Sequence, residues 1–190
     1  MGLSIHYSGR LRDYSLIDEL IAETTDICET LDWTYHVIDG NNTDELKGIC
    51  FAPAGCEPIF LTFLPNGRMC SPIDLMNQDL YEKNGLDREL IYTTSTKTQY
   101  AGPDVHMGII KLFRHLRTKY FSEFDMSDEG MYWETMDEKI FRQQFAKYEF
   151  LVNSFTSAVS ETKALPGETA TSLADRIEEM LKQKFGKDEI

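Results

Sequence analysis

Ile59-Phe60-Leu61-Thr62-Phe63-Leu64-Pro65-Asn66-Gly67-Arg68-Met69-Cys70-Ser71-Pro72-Ile73 carries the clearest turn signal in the chain. Pro65 presets φ, and Asn66-Gly67 tolerates the positive φ of a tight reversal. The flanks Ile59–Leu64 and Arg68–Ile73 are then the two arms of a β-hairpin. Upstream, Leu46–Ala52 and the aromatic, β-branched run Trp33–Asp39 read as further strands, the latter followed by the loop chemistry of Asp39-Gly40-Asn41-Asn42. Before them, Ser15 precedes apolar residues at helical spacing from Leu16 to Leu31, with Asp18 completing a capping-box-like start. Residues 3–8 alternate Leu3, Ile5 and Tyr7 against Ser4, His6 and Ser8, the period of a half-buried strand, which Gly9 is expected to end.

Downstream of the hairpin a polar stretch, Asp74–Glu89, leads to Leu90–Tyr100. Its threonines favour extension although its middle has no apolar face, so it is expected at a sheet edge or beside a wet cavity. Gly102-Pro103-Asp104 opens a helix whose stripe runs from Val105 to Tyr120. An acidic segment, Ser122–Glu134, interrupts. Thr135 with Glu138 then forms a capping box ahead of a long helix through Phe141, Phe145, Tyr148, Val152, Phe155 and Val159. Leu165-Pro166-Gly167 breaks it, and Ser172 with Asp175 opens a terminal helix with the stripe Leu173, Ile177, Met180, Leu181 and Phe185.

Segregated helices and hairpin-joined strands give an α+β protein. The expected form is a mainly antiparallel curved sheet in a β-α-β(4-5)-α order, packed against long helices, with two additional C-terminal helices. Residues 1–160 read as one domain. Residues 161–190 read as a linker and C-terminal helix packed on that domain or on a partner. A homodimer would cover the apolar stripes of the last two helices, but folding back over the sheet does so within one chain, and the monomer is preferred.

The 190 residues carry 19 basic and 32 acidic side chains, a net charge of −13, which argues against nucleic acid or an anionic membrane as partner. No window approaches the apolar length of a membrane span. Cys28, Cys50, Cys56 and Cys70 form no C-x-x-C pair and sit in apolar segments, which suits small hydrophobes in a reducing, cytoplasmic setting better than a zinc site. Neither a G-x-S-x-G elbow nor a glycine-rich phosphate loop is present. The second helix holds Lys111, Arg114, Arg117 and Lys119 against Asp104 alone. Pairing with the acidic segment that follows is the expected use of this basic island.

Three phrases, Ile5-His6-Tyr7-Ser8-Gly9-Arg10, Lys97-Thr98-Gln99-Tyr100-Ala101-Gly102-Pro103-Asp104-Val105-His106 and Ser127-Asp128-Glu129-Gly130-Met131-Tyr132-Trp133-Glu134, resemble the wording of a family of small uncharacterised bacterial α+β proteins. The resemblance implies that the three stretches belong together and assigns no reaction. The element order also resembles the TATA-binding-protein-like folds and, more loosely, the helix-grip folds, which host many functions.

Polar groups gather with glycine and aromatics in these phrases, the texture of a pocket wall. The leading expectation is a binding protein with a small polar pocket between sheet and helix, lined by His6, Arg10, Lys97, Gln99, His106 and Tyr132, for a small ligand or partner segment. A second reading is a metal-assisted hydrolase, in which His6, His106, Glu129 and Glu134 offer two nitrogens and two oxygens to a divalent ion. A third is an acidic protein–protein interaction module.

Overall fold

The computed structural model describes residues 3–40, 46–85, 88–162 and 167–185. Their elements follow in the order β1 (Ser4–Leu11), α1 (Ile17–Thr30), β2 (Thr34–Asp39), β3 (Lys47–Ala52), β4 (Ile59–Phe63), α2 (Pro72–Met76), α3 (Gln78–Lys83), β5 (Thr94–Lys97), α4 (Pro103–Tyr120), β6 (Phe121–Asp128), α5 (Tyr132–Thr135), α6 (Glu138–Glu161) and α7 (Ala170–Phe185). The class is α+β, as the sequence implies, and every strand pairing is antiparallel. The strands divide between two three-stranded ladders, β2-β3-β4 and β5-β1-β6.

The hairpin at Pro65-Asn66-Gly67 forms and joins those ladders. Gly67 holds φ at 77° and donates its N–H to Leu64 O at 2.8 Å. The second arm then lies between β4 and β1: Cys70 N–H reaches Thr62 O at 3.0 Å, while Met69 N–H reaches Gly9 O and Gly67 O accepts from Leu11 N–H, both at 2.9 Å. The arm ends before Ile73, where extension had been expected. Ser71 Oγ accepts the Asp74 N–H at 3.1 Å and Pro72 occupies the first turn, so α2 begins there instead.

Where the ladders part, a side chain stands in for a strand. The buried Tyr7 hydroxyl accepts the Phe60 N–H at 3.0 Å, lies 3.3 Å from Phe60 O and touches Thr96 Oγ1 at 3.5 Å. Burial raises the phenol far above its ordinary pKa, and the bonds to Thr96 and Phe60 oppose this only in part. The Tyr7 ring packs on Phe113 of α4 at 4.7 Å between centroids, so one residue links both ladders to the helical layer.

β1 runs through Gly9 to Leu11 rather than stopping at the glycine. A Cβ at Gly9 would stand 2.8 Å from the Phe121 ring and 2.9 Å from Glu123 O, so the residue answers a close approach by β6 and not a chain reversal. β6 itself occupies the segment expected as an acidic interruption. Its alternation buries Met126 and Asp128 and half-buries Phe124, while Glu123, Asp125 and Ser127 face water. Carboxylates on an outer strand also discourage pairing with a further chain.

Helix starts fall slightly away from the expected caps. Asp13 accepts the Ser15 N–H ahead of α1, and Asp137 accepts the N–H groups of Lys139 and Ile140 at 2.9 and 3.0 Å ahead of α6. Thr135 closes α5 instead. The basic residues of α4 divide: Lys119 pairs with the acids of α1, whereas Arg114 donates to Trp133 O and lies with Arg117 over the Trp133 ring. On α1, Glu23 takes the Tyr120 hydroxyl, His115 Nε2 at 2.7 Å and Lys119 Nζ at 3.2 Å. Partial burial opposes ionisation of Glu23, but these three donors outweigh it and bring its pKa to about 2. Arg12 closes the end of α4, donating to Thr118 O at 2.9 Å.

The chain divides into two compact units, residues 1–145 and 146–190, with α6 running through the division. In the second, Thr169 Oγ1 accepts the Ser172 N–H at 3.2 Å and Ser172 Oγ accepts the Thr169 N–H at 3.0 Å, so α7 starts before the expected Ser172–Asp175 pair. Residues 41–45 and 163–166, which include most of the expected loop and helix break, lie outside the described residues. Among the described residues no helix is long and apolar enough to cross a membrane.

Tyr7→Phe keeps the ring and removes the hydroxyl that serves Phe60. The expected loss is about 1–3 kcal/mol of unfolding free energy, the cost of an orphaned buried N–H, read from urea denaturation with unchanged far-ultraviolet circular dichroism.

Candidate functional site: the two faces of the β5-β1-β6 ladder

The three phrases singled out in the sequence are neighbours in space. β1 pairs with β5 through Ser4–Tyr7 and with β6 through Ile5–Leu11, and the residues following β5 and β6 lead into α4 and α5. Strand alternation then sends their side chains to two faces with different chemistry.

On the helix-facing side lies a sealed polar cluster. Asp128 sits opposite Ile5 in register, with its side chain fully buried. Oδ1 accepts the Gly130 N–H at 2.7 Å, and Oδ2 accepts the N–H groups of Tyr132 and Trp133 at 2.8 and 3.0 Å. The carboxylate thereby holds a tight turn in which Met131 and Met136, on either side of α5, adopt φ of 62° and 51°. A Cβ at Gly130 would come within 2.6 Å of the Phe141 ring, so the turn is tight enough to require glycine. Glu134 Oε1 accepts the Asp128 N–H at 3.2 Å.

His106, on the first turns of α4, is equally buried and stacks on Phe141 at 4.6 Å. Its Nε2 stands 3.1 Å from Asp128 Oδ1, an ion-pair distance outside hydrogen-bond geometry, and its Nδ1 is 2.7 Å from Thr98 Oγ1. A carboxylate beside Nε2 favours the proton there, leaving Nδ1 to accept from the Thr98 hydroxyl. Leu3 O receives the Thr98 N–H at 2.9 Å and also lies 3.2 Å from the Thr98 hydroxyl, whose one proton therefore has both this carbonyl and the closer imidazole within reach. Burial disfavours the Asp128 anion, but the adjacent His106 and the N–H donors of Trp133 and Gly130 more than compensate, and its pKa falls below the ordinary 3.8. A Thr-His-Asp arrangement of this kind resembles a nucleophile relay in composition, yet none of its side chains reaches solvent. It joins β5, α4 and β6.

The opposite face is open and polar. His6, Ser8 and Arg10 project there from β1, with Ser95 opposite His6, and with Ser127, Asp125 and Glu123 opposite His6, Ser8 and Arg10 in turn. Lys97 lies opposite Ser4 on the same side. His6 Nε2 is 3.7 Å from Glu129 Oε1, both side chains 41% exposed, and Glu129 Oε2 accepts the Ser4 N–H at 2.8 Å. At the Ser8–Arg10 end is an open groove of about 610 Å³, lined by Ser8, Gly9, Arg10, Arg68, Glu89, Tyr92, Thr93, Glu123, Phe124 and Asp125.

Its two guanidiniums are held in place. Arg68 lies 3.6 Å over the Tyr92 ring and pairs with Glu89, while Arg10 donates to Asn66 O at 2.9 Å and approaches Glu123 at 4.0 Å. Pairing with Glu89 raises the Arg68 pKa, so the groove keeps that positive charge beside the carboxylates of Glu123 and Asp125.

Of the six expected pocket residues, Arg10 lines this groove, and His6 and Lys97 share its face. His106 and Tyr132 lie buried on the helix side of the ladder, and Gln99 has a buried Oε1 without a partner among the described residues. His6, His106, Glu129 and Glu134 do not gather as metal ligands, since His6 projects from the outer face of β1 while His106 is buried on α4 against the ladder's other face. Among the described residues no group of three or more His, Cys, Asp and Glu is disposed to hold a metal ion. Cys28 and Cys70 are buried, and burial pushes the thiols of Cys28 and Cys56 up to about 11 and about 12, so they behave as apolar fillers. Arg68, Glu89, Tyr92 and Phe124 were not singled out by the sequence, where they sit in four separate segments. Comparison with protein-family models, curated proteins and solved structures finds no match.

Asp128→Asn keeps the shape but offers one acceptor where the anion met donors on both oxygens. The expected cost is about 3–5 kcal/mol near neutrality, as for a broken buried pair. Because the folded pKa is lowered, Asp128 contributes its full stabilisation above 3.8 and loses it as pH falls through the lower folded value. Urea melts of both proteins across pH should therefore differ most at neutral pH and converge in acid.

Proposed function

We propose that the protein is a cytoplasmic binding protein whose ligand site is the groove on the outer face of the β5-β1-β6 ladder. The observation that supports this reading is the pair of fixed guanidiniums, Arg10 and Arg68, facing carboxylates across an open polar concavity. The buried Thr98-His106-Asp128 arrangement is closed to substrate.

A rigid guanidinium offers a planar donor pair to a carboxylate or phosphate. Glu123 and Asp125 offer acceptors to an ammonium group, while Tyr92 supplies apolar surface for the carbon skeleton. The ligand class is therefore a small molecule carrying both charges, such as an amino acid or an amino-sugar phosphate, or the equivalent part of a partner's chain. Pre-positioned side chains reduce the entropy lost on binding.

Titration of the isotopically labelled protein with amino acids, dipeptides and phosphorylated amino sugars tests the reading by nuclear magnetic resonance. The expected chemical-shift changes cluster on Ser8, Arg10, Thr93 and Phe124 and weaken by about tenfold in Arg10→Met, a loss of about 1.4 kcal/mol. Changes absent throughout, or centred on the His106 cluster, would count against it.

A further inference from the structure

We infer that β2 is a homodimerisation edge, along which two copies of the chain pair antiparallel to extend the β2-β3-β4 ladder into a six-stranded sheet. The strand edges of the two ladders are protected to different degrees. The outer edge of β4 is covered by Arg68–Cys70, and β5 is held by Glu57, which donates its N–H to Lys97 O at 3.0 Å and accepts the Lys97 N–H at 2.9 Å. β6 carries Glu123 and Asp125, which oppose a like strand. β2 is less protected: among the described residues it pairs with β3 alone, its one carboxylate, Asp39, stands at the end of the strand, and Thr34, Tyr35, His36 and Val37 are exposed.

The sequence of this edge, Thr34-Tyr35-His36-Val37-Ile38-Asp39, suits a second copy of itself. A two-fold axis normal to the sheet can pass only through a residue facing its own counterpart, because adjacent residue pairs differ in hydrogen bonding. With Val37 on the axis Asp39 falls opposite Tyr35, and with His36 on the axis Asp39 falls opposite Trp33. Neither register opposes two carboxylates.

Such an axis also keeps the α1 sides of both copies together. Tyr35 and Val37 lie opposite Phe51 and Ile49 on that side, and with Leu31 at the end of α1 they keep 36%, 39% and 49% of their surface exposed. The two apolar stripes meet in the pair. Glu29 of α1 is engaged by the Tyr35 hydroxyl at 2.8 Å.

Each copy carries a net charge of −13, so association proceeds against long-range repulsion. Pairing by backbone bonds and apolar contact is therefore strengthened by salt, whereas an interface of ion pairs is weakened. Sedimentation velocity of the full chain, from low to high micromolar, at about 50 mM and about 500 mM sodium chloride reads both properties. The expected result is a shift from the mass of one chain toward two with concentration, at lower protein concentration in high salt. Val37→Lys, which puts a charge on an exposed position, is expected to weaken association by about tenfold. Thermal melting followed by circular dichroism verifies that the variant is folded. A single-chain mass at every concentration and salt overturns the inference, as does a dimer that Val37→Lys leaves intact, which would lie elsewhere on the chain.

Discussion

A carboxylate withdrawn from water must find its donors within the protein, and the way Asp128 finds them organises half of this fold. Three backbone N–H groups converge on it from the turn after β6, and His106 approaches from α4. An unpaired buried anion would cost several kcal/mol. β6, α4 and α5 are thus constrained to arrive together, and Thr98 brings the end of β5 to the same point through His106. Backbone strain at Met131 and Met136 persists where this network overdetermines the chain.

That joint also determines what the outer face can be. With Asp128, Met126 and Phe124 turned toward α4 to differing depths, the period of the strand turns Ser127, Asp125 and Glu123 to the other side, beside His6, Ser8 and Arg10. The groove therefore forms over a ladder whose reverse side is rigidly packed. Its walls come from the hairpin arm at Arg68 and from the turn before β5, so the element that joins the two ladders also supplies one of the groove's cations.

The sequence revealed elements whose periodicity was undisturbed. α4 stands where its stripe from Val105 to Tyr120 implied, and the reversal at Pro65-Asn66-Gly67 occurs where its turn residues required. β6 was obscured because its outward acids suggested a solvated loop, and only Phe121, Phe124 and Met126 betray the buried side. β5 gave the reverse difficulty. Thr94, Thr96 and Thr98 carry no conventional apolar face, yet they are buried, and two of their hydroxyls find partners at Pro58 O and His106 that lie far from any local pattern. His106 looked like a ligand-binding residue by type and by position at a helix start. Its burial depends on Asp128 and Phe141, 22 and 35 residues away, and no single segment encodes it. In hindsight, an aspartate two residues before Gly130 was a readable signal for a side chain that binds the following backbone.

The account rests on the Asp128 turn being part of the rigid core and not a movable loop over an active histidine. Native-state hydrogen exchange of the Gly130, Tyr132 and Trp133 amides tests this directly, because these are the N–H groups the carboxylate holds. The account predicts that all three exchange only on global unfolding, with the same denaturant dependence as the amides of α4. Exchange at the rate of a frayed loop, independent of denaturant, would contradict it and reopen His106 as a group that meets solvent and substrate.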